Sequence, residues 1–399
     1  MPSALAPIRV VRFVTRLNIG GPSIQVVELA SRLSARGFET LLIHGEVGPQ
    51  EGDMSYLLEC AASPPRTKQL AALKRPISPA SDARAAWKVY RLLCEFKPAI
   101  VHTHMAKAGA VGRLAALAYN NTAGRRARAR LVHTYHGHVL EGYFGLAKTR
   151  LFIAAERRLA GVTDRIVAIS QRIRDELVQE YRIGRHEQYR VVPLGFDLDA
   201  LAAIEDEARA VARAALDIPP GATVVTTVGR LTAIKEQRLF LEVAQRVARL
   251  HASTVFLIVG DGELREALEA AAVSLGIADR VRFLGWRRDL ETVYGATDIF
   301  LLTSRNEGTP VALIESLAAG CVGVSTDVGG VADVMPTSDV GLMAPPGDAG
   351  QLADHVSRLV AEPGRRRAMG EAGRQRVVAQ YGINRLVTDI DGLYRDLLA

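Results

Sequence analysis

Residues 299–315 read Ile299-Phe300-Leu301-Leu302-Thr303-Ser304-Arg305-Asn306-Glu307-Gly308-Thr309-Pro310-Val311-Ala312-Leu313-Ile314-Glu315. An apolar, β-branched run ends in a polar turn, and a helix follows. Thr309 is expected to cap that helix and Pro310 to take its first position. Glu307 then falls in the turn and Glu315 in the second helical turn, with seven residues between them. A helix N-terminus attracts phosphate through its free N–H groups and its dipole. Carboxylates repel phosphate, so this pair is read as binding neutral hydroxyls beside it. Phosphate and hydroxyls in one pocket describe a nucleotide sugar. The plainer reading is two glutamates on a solvated helix face. The later Asp327-Val328-Gly329-Gly330 argues against it, because it extends the unit with a second glycine-rich strand end.

The same strand-then-helix alternation runs through the chain. Apolar runs recur at Ile8–Val14, Thr40–Ile43, Ala99–His102, Leu131–Thr134, Arg165–Ile169 and Arg190–Val192. Helical segments such as Ser23–Arg36 and Ser170–Tyr181 separate them. Near-continuous apolar strands joined by crossover helices predict a parallel sheet covered on both faces. The alternation breaks at about 196–220 and restarts at Thr223–Arg230, with further runs at Val255–Val259, Val281–Leu284, Ile299–Leu302 and Val322–Ser325. At 399 residues the chain exceeds one ordinary core. The fold class predicted is α/β, with two doubly wound Rossmann-like domains facing a cleft. The first spans residues 1–200 and the second 201–381, with strand carboxyl ends lining the site.

Composition narrows the classes. No run is long and apolar enough to span a bilayer. Met1–Pro7 lacks the basic and apolar regions of a signal peptide. Cys60, Cys94 and Cys321 lie far apart and read as reduced, buried thiols of a cytoplasmic protein. The net charge of +7 includes basic clusters at Arg125–Arg130 and Arg365–Arg367. They suit an anionic membrane surface or a solvated face. Nucleic acid is a further reading of such patches, but no aromatic residue is interleaved, which counts against single strands, and no nucleic-acid partner is expected.

The strand ends carry the chemistry. Gly229-Arg230-Leu231-Thr232-Ala233-Ile234-Lys235 places two cations on one strand-to-helix turn, a spacing able to hold a diphosphate. Lys235 is the only lysine after Lys148, so its retention asks for a reason. Gly260-Asp261-Gly262 permits a tight turn and close ligand approach. Arg265 stands where a dinucleotide fingerprint has its third glycine. Trp286-Arg287 follow the next strand. In the first half, Asn18-Ile19-Gly20-Gly21-Pro22-Ser23 opens a helix. His133-Thr134-Tyr135-His136-Gly137-His138 ends a strand, with His102-Thr103-His104 at an earlier strand end. Zinc is the rival reading of these histidines, but no Cys or carboxylate lies at ligand spacing. Asp197-Leu198-Asp199 and Asp389-Ile390-Asp391 match a metal-binding Asp-x-Asp pattern in poor positions, and no metal cofactor is expected.

Taken in order, these motifs resemble the retaining family 4 glycosyltransferases of the GT-B fold, over about Arg9 to Tyr381. The resemblance rests on the glutamate-x7-glutamate signature, the Gly-Arg…Lys clamp, the Gly-Asp-Gly turn, the Gly-Gly loop and His136. It implies a hexose-type sugar transferred from a nucleotide diphosphate sugar, with UDP as the expected nucleotide. The acceptor is the hydroxyl of a glycan or lipid-linked glycan in cell-surface synthesis, beside the inner membrane face. It also implies roles. Arg230 and Lys235 hold the diphosphate, Glu307 the hexose, Glu315 the ribose and His136 the sugar. Gly260, Asp261, Gly262, Trp286, Arg287, Gly308, Thr309, Pro310 and Val311 line the nucleotide, and Gly20 and Gly21 the acceptor side. The final helix, about 382–399, is expected to return to the first domain. Where many members carry histidine this chain has Gln25, which puts one acceptor contact in doubt. A sugar-nucleotide epimerase of similar fold and a non-catalytic basic adaptor are the alternatives.

Overall fold

A computed structural model describes residues 6–18, 20–48, 51–61, 63–124, 127–136 and 146–399. The chain forms two units, one of residues 1–196 with 383–399 and the other of residues 197–382. In the first, β1 (Ile8–Phe13), β2 (Phe38–Gly45), β3 (Arg66–Leu70), β4 (Ile100–His104), β5 (Arg130–Tyr135), β6 (Arg165–Ala168) and β7 (Tyr189–Val191) form one sheet. Its order is β3-β2-β1-β4-β5-β6-β7, and every pairing is parallel. In the second, β8 (Thr223–Val228), β9 (Thr254–Val259), β10 (Val281–Gly285), β11 (Ile299–Leu302), β12 (Val322–Thr326) and β13 (Gly341–Ala344) form another. Its order is β10-β9-β8-β11-β12-β13, again all parallel. Both are Rossmann-like. The chain order reverses between β1 and β4 and between β8 and β11, the points where such sheets leave a crevice at their carboxyl ends.

The strands are buried because both faces are covered. Phe256, Ile258, Ile299 and Leu301 are inaccessible to solvent and pack with Phe240, Leu241 and Val356 of the flanking helices. Sheet edges explain what the apolar reading misses. Strand β3 is Arg66-Thr67-Lys68-Gln69-Leu70, with only its last residue buried, and its charged positions suit an edge.

Three expectations need correction. The boundary expected at residue 200 falls at Phe196, and the break that follows carries the helices Asp199–Ala202 and Asp206–Ala215 of the second unit. The helices expected over Ser23–Arg36 and Ser170–Tyr181 change geometry partway. They run as α-helix over Gly21–Arg32 and Gln171–Asp175, then as a 3₁₀ and a π turn. Of the cysteines, only Cys321 is buried, while Cys60 is exposed.

The final helix, Ile383–Leu398, belongs to the first unit. Its sequence explains why. Ile383, Leu386, Val387, Ile390, Leu393, Tyr394 and Leu397 form a stripe of helical period that packs on Val10, Leu29, Ile100 and Val132. Ile383 N–H donates to Phe196 O at 2.9 Å, and Arg385 donates to the carbonyls of Pro193 and Leu194. No helix among the described residues is long and apolar enough to cross a membrane.

Candidate functional site

Strand β8 ends at Val228 and β11 at Leu302, side by side at the switch point of the second sheet. Each hands a loop to the crevice. The first loop carries Arg230 and Lys235, the second Glu307. Lys235 Nζ lies 2.6 Å from Glu307 Oε1. Ser304 Oγ donates to the same oxygen at 2.6 Å. The two loops are also tied through backbone: Arg305 N–H donates to Ile234 O at 2.8 Å and Thr303 Oγ1 to Lys235 O and Glu236 O. Glu236 holds a left-handed conformation and pairs with Arg305 at 2.6 Å. Glu307 is 9% exposed, and Oε2 has no partner among the described residues. One oxygen is thus fixed and the other is left as an acceptor. Arg230 is exposed, and its side chain makes no ion pair or hydrogen bond among the described residues.

Glycine makes this packing feasible. At Gly329, φ is +52°, and a Cβ there would collide with Glu307 O. Gly330 N–H donates to that carbonyl at 3.1 Å. The loop after β12 therefore presses on the backbone of the glutamate, which no larger residue permits. Gly260, with φ +130°, meets Gly229 O in the same way. Leu231 N–H donates to Asp261 O at 3.0 Å, so Gly260-Asp261-Gly262 forms the floor beneath Arg230.

Glu315 lies on the helix Val311–Ala318 and is half-buried. Tyr294 Oη donates to its Oε2 at 2.9 Å. Burial pushes the carboxyl up to about 7, and the Tyr294 hydrogen bond offsets only part of that. A carboxyl this costly to ionise, on the helix that follows the Glu307 loop, is a candidate functional group. Pro310, not Thr309, occupies the cap position of this helix, and no side chain caps it. Thr309 therefore lies one residue outside, beside exposed Gly308. An uncapped first turn keeps its N–H groups free for a ligand.

Trp286 and Arg287 follow β10. Trp286 is exposed, while Arg287 holds Asp289 in a two-pronged ion pair, with Nε to Oδ1 at 2.8 Å. Arg287 is thereby engaged within its own turn. The two Asp-x-Asp matches are engaged too. Asp389 pairs with Arg385 and Asp391 with Arg395 and Arg36. Asp197 Oδ1 accepts from Asp199 N–H.

In the first unit, Gly20 sits at the cap of the helix Gly21–Arg32 with φ +148°, and Ser23 Oγ donates to Asn18 O at 2.6 Å. Ile19 lies outside the described residues. His136 follows β5 and is half-buried, whereas Gly137 and His138 lie outside the described residues. His136 Nε2 is 3.0 Å from His104 Nδ1. Desolvation lowers the His136 imidazole to about 3 and that of His104 well below its ordinary value. His133 is fully buried within β5, against Thr103. Of the basic cluster, Arg125 and Arg126 are outside the described residues, and Arg130 pairs with Asp164 at 3.3 Å.

Sequence reading missed Ser304, Tyr294, Glu236, Arg12 and Tyr394. Only Arg12 carried a signal, as a charge set between apolar Val11 and Phe13 in a buried strand. A cavity of about 540 Å³ lined by Arg209, Asp298, Gly320, Arg366 and Arg374 lies at the opposite, amino ends of β11 and β12. Arg374 and Arg366 are spent there on the carbonyls of Ala319 and Leu359.

Two parallel Rossmann-like sheets, with cations and acids gathered at a switch point, are the architecture of the GT-B fold. Comparison with known proteins agrees. The family description Glycosyltransferase Family 4 matches residues 19–200, and Glycosyl transferases group 1 matches residues 208–376. The chain belongs to this glycosyltransferase family and is an enzyme of that class. It is 30% identical over 261 residues to the Escherichia coli UDP-Gal:alpha-D-GlcNAc-diphosphoundecaprenol alpha-1,3-galactosyltransferase. That match covers 65% of this chain and 65% of the relative. A glycosyltransferase structure from Rickettsia africae superimposes with TM-score 0.81 at 17% identity, covering 99% of both chains. Anabaena HepE, solved with UDP and glucose, gives TM-score 0.78 at 19% identity, covering 98% of this chain and all of that one. The family match sets aside the epimerase and the non-catalytic adaptor.

Proposed function

We propose that the chain is a retaining glycosyltransferase that moves a hexose from a UDP-sugar to a hydroxyl of a lipid-linked glycan. The observation that carries this reading is the Lys235–Glu307 pair at the β8–β11 switch point, beside unpaired Arg230. A site of this kind stores its own counter-charge. When a diphosphate enters, Lys235 exchanges a carboxylate for phosphate and Arg230 supplies a second contact. Oε2 of Glu307 accepts from hexose hydroxyls and faces the positive charge that develops at the anomeric carbon. Glu315 accepts from the ribose, and His136 contacts the transferred sugar. The acceptor hydroxyl attacks on the leaving-group face and gives its proton to the departing phosphate, so no protein base is required. Positioning and preorganised charge supply the rate. The relative named for UDP-galactose and a diphosphoundecaprenol acceptor, and the fold neighbour holding UDP, support the choice of donor and acceptor class.

Lys235→Ala tests the clamp. It removes a partner from nearly buried Glu307, which costs roughly 1 kcal/mol of stability. Its effect on UDP affinity should be larger, because charge-assisted phosphate contacts are each worth about 1.5–3 kcal/mol. Calorimetry showing UDP affinity unchanged would remove Lys235 from the clamp.

The cationic pair is proposed to neutralise the leaving group without metal, so transfer should persist in EDTA. An absolute need for Mn²⁺ or Mg²⁺ would refute this. Contact with an anionic membrane is proposed through the first unit. With Arg130 already paired to Asp164, the basic cluster contributes less than its four arginines suggest. Flotation with anionic vesicles should weaken, but not vanish, when Arg125, Arg126 and Arg128 are neutralised. Unchanged flotation would exclude the cluster.

A further inference from the structure

Arg12 lies in β1 and is inaccessible to solvent, yet it has no carboxylate partner among the described residues. Burying a cation without an anion is expensive. What surrounds it is a set of rings. Arg12 NH1 lies 3.4 Å from His104 Nε2, and NH2 lies 2.9 Å from Tyr394 Oη on the final helix. His102 and His104 stack with centroids 4.3 Å apart, and His104 and His136 with centroids 5.3 Å apart. Tyr394 Oη is 2.7 Å from His102 Nδ1, and His102 Nε2 is 2.7 Å from Thr134 Oγ1.

A guanidinium donates and never accepts. That rule orders every proton in the cluster. His104 Nε2 faces Arg12 and must accept. A neutral His104 then carries its proton on Nδ1 and donates it to His136 Nε2 at 3.0 Å. His136 therefore accepts at Nε2, and its own proton must sit on Nδ1. That atom is buried and has no acceptor among the described residues. On the other branch, Tyr394 accepts from Arg12 and gives its proton to His102 Nδ1. His102 then donates through Nε2 to Thr134. Burial keeps the His102, His104 and His136 rings neutral, as the wiring requires.

We infer that Arg12, acting through His104, fixes the tautomer of His136, so that His136 presents an Nδ1–H donor to an oxygen of the ligand and is not a base. Arg12 and His104 are positioning residues, and the uncompensated charge of Arg12 polarises both donors outward along the wire. An unpartnered buried donor at the end of such a wire is placed to receive a ligand oxygen. The identity of that ligand oxygen, on the transferred sugar, rests on the function proposed above. The proton position does not.

The test is nitrogen NMR on the full chain labelled with ¹⁵N-histidine, with His136 assigned by its loss in His136→Asn. At pH 7 without ligand, His136 should show a protonated Nδ1 and an unprotonated Nε2. A protonated Nε2, or an imidazolium, overturns the inference. In Arg12→Met the fixed tautomer should be lost, with both nitrogens shifting toward averaged values, while Arg12→Lys, which keeps a donor, should largely restore it. If Arg12→Met does not fold, His104→Leu cuts the same link and should give the same loss. An unchanged His136 spectrum in that variant also overturns the inference. A protonated Nδ1 together with full transfer by His136→Asn would uphold the wire and refute the sugar contact.

Discussion

Glu307→Ala should lower turnover by roughly 10²–10³ while UDP binds at least as tightly as before. The size is that of losing one preorganised electrostatic partner of a transition state. The direction of the second effect follows from geometry. Lys235 Nζ and Ser304 Oγ both sit 2.6 Å from Oε1 of this glutamate. Removing the carboxylate frees Lys235 for phosphate and takes a negative charge away from the diphosphate. Stability should fall only modestly, because Ser304 loses one acceptor and Lys235 is already partly exposed. The change is thus confined to turnover, as expected for a contact strengthened in the transition state. Rapid-mixing turnover with the intact donor, beside calorimetry with UDP alone, separates the two. Loss of UDP affinity matching the loss in turnover would place Glu307 on the nucleotide instead. Full activity would make it a mere counter-ion for Lys235.

Much of the second unit was legible because its chemistry is local. A strand such as Ile299–Leu302 announces itself by apolar β-branched residues, and the glutamates follow within one strand–turn–helix unit. Lysine scarcity pointed to Lys235 without any contact being known. The pairing of Lys235 with Glu307 was not legible, since it joins residues 72 apart through a sheet order that a single strand does not encode. Gly329 was visible as a glycine but not for its purpose. That depends on the carbonyl of Glu307 from a neighbouring loop. Cap assignment failed by one residue because Thr309 and Pro310 satisfy the start signals in either register.

The first unit was harder for a related reason. His136 and His104 stood out as polar residues at strand ends. Their wiring runs through Arg12 and Tyr394, which are 382 residues apart and meet only because the final helix returns to the first sheet. An arginine between Val11 and Phe13 could have drawn attention, since charge inside a parallel strand is costly. Nothing local says which histidine it faces.

Glu315→Gln should stabilise the protein increasingly as pH rises from about 4.5 to 7, and weaken donor binding once the wild-type carboxyl ionises near pH 7. In the fold, burial holds the Glu315 carboxyl at about 7, well above its ordinary value of 4.5. The unfolded chain therefore releases this proton at lower pH than the folded chain does. Stability from this group is intact below about 4.5, declines as pH rises toward 7, and stays reduced above that. At about 1.4 kcal/mol per pKa unit, glutamine should recover on the order of 1–3 kcal/mol at pH 8 and well under half of that at pH 5. Glutamine can still accept from Tyr294, so the change is one of charge rather than packing. Binding runs the opposite way. Ribose hydroxyls donate best to a carboxylate, so binding favours the ionised form. Affinity of wild type for a UDP-sugar should rise about tenfold from pH 6 to pH 8. The phosphates of the intact donor are diesters and do not titrate there, so the slope reports the protein. In Glu315→Gln that slope should flatten, with affinity at pH 8 reduced by about 1–3 kcal/mol. Thermal melts and calorimetry at pH 5, 6, 7 and 8 measure both curves. A difference between variant and wild type that does not change with pH would show that Glu315 is not the titrating group, and its place at the ribose would fall with it.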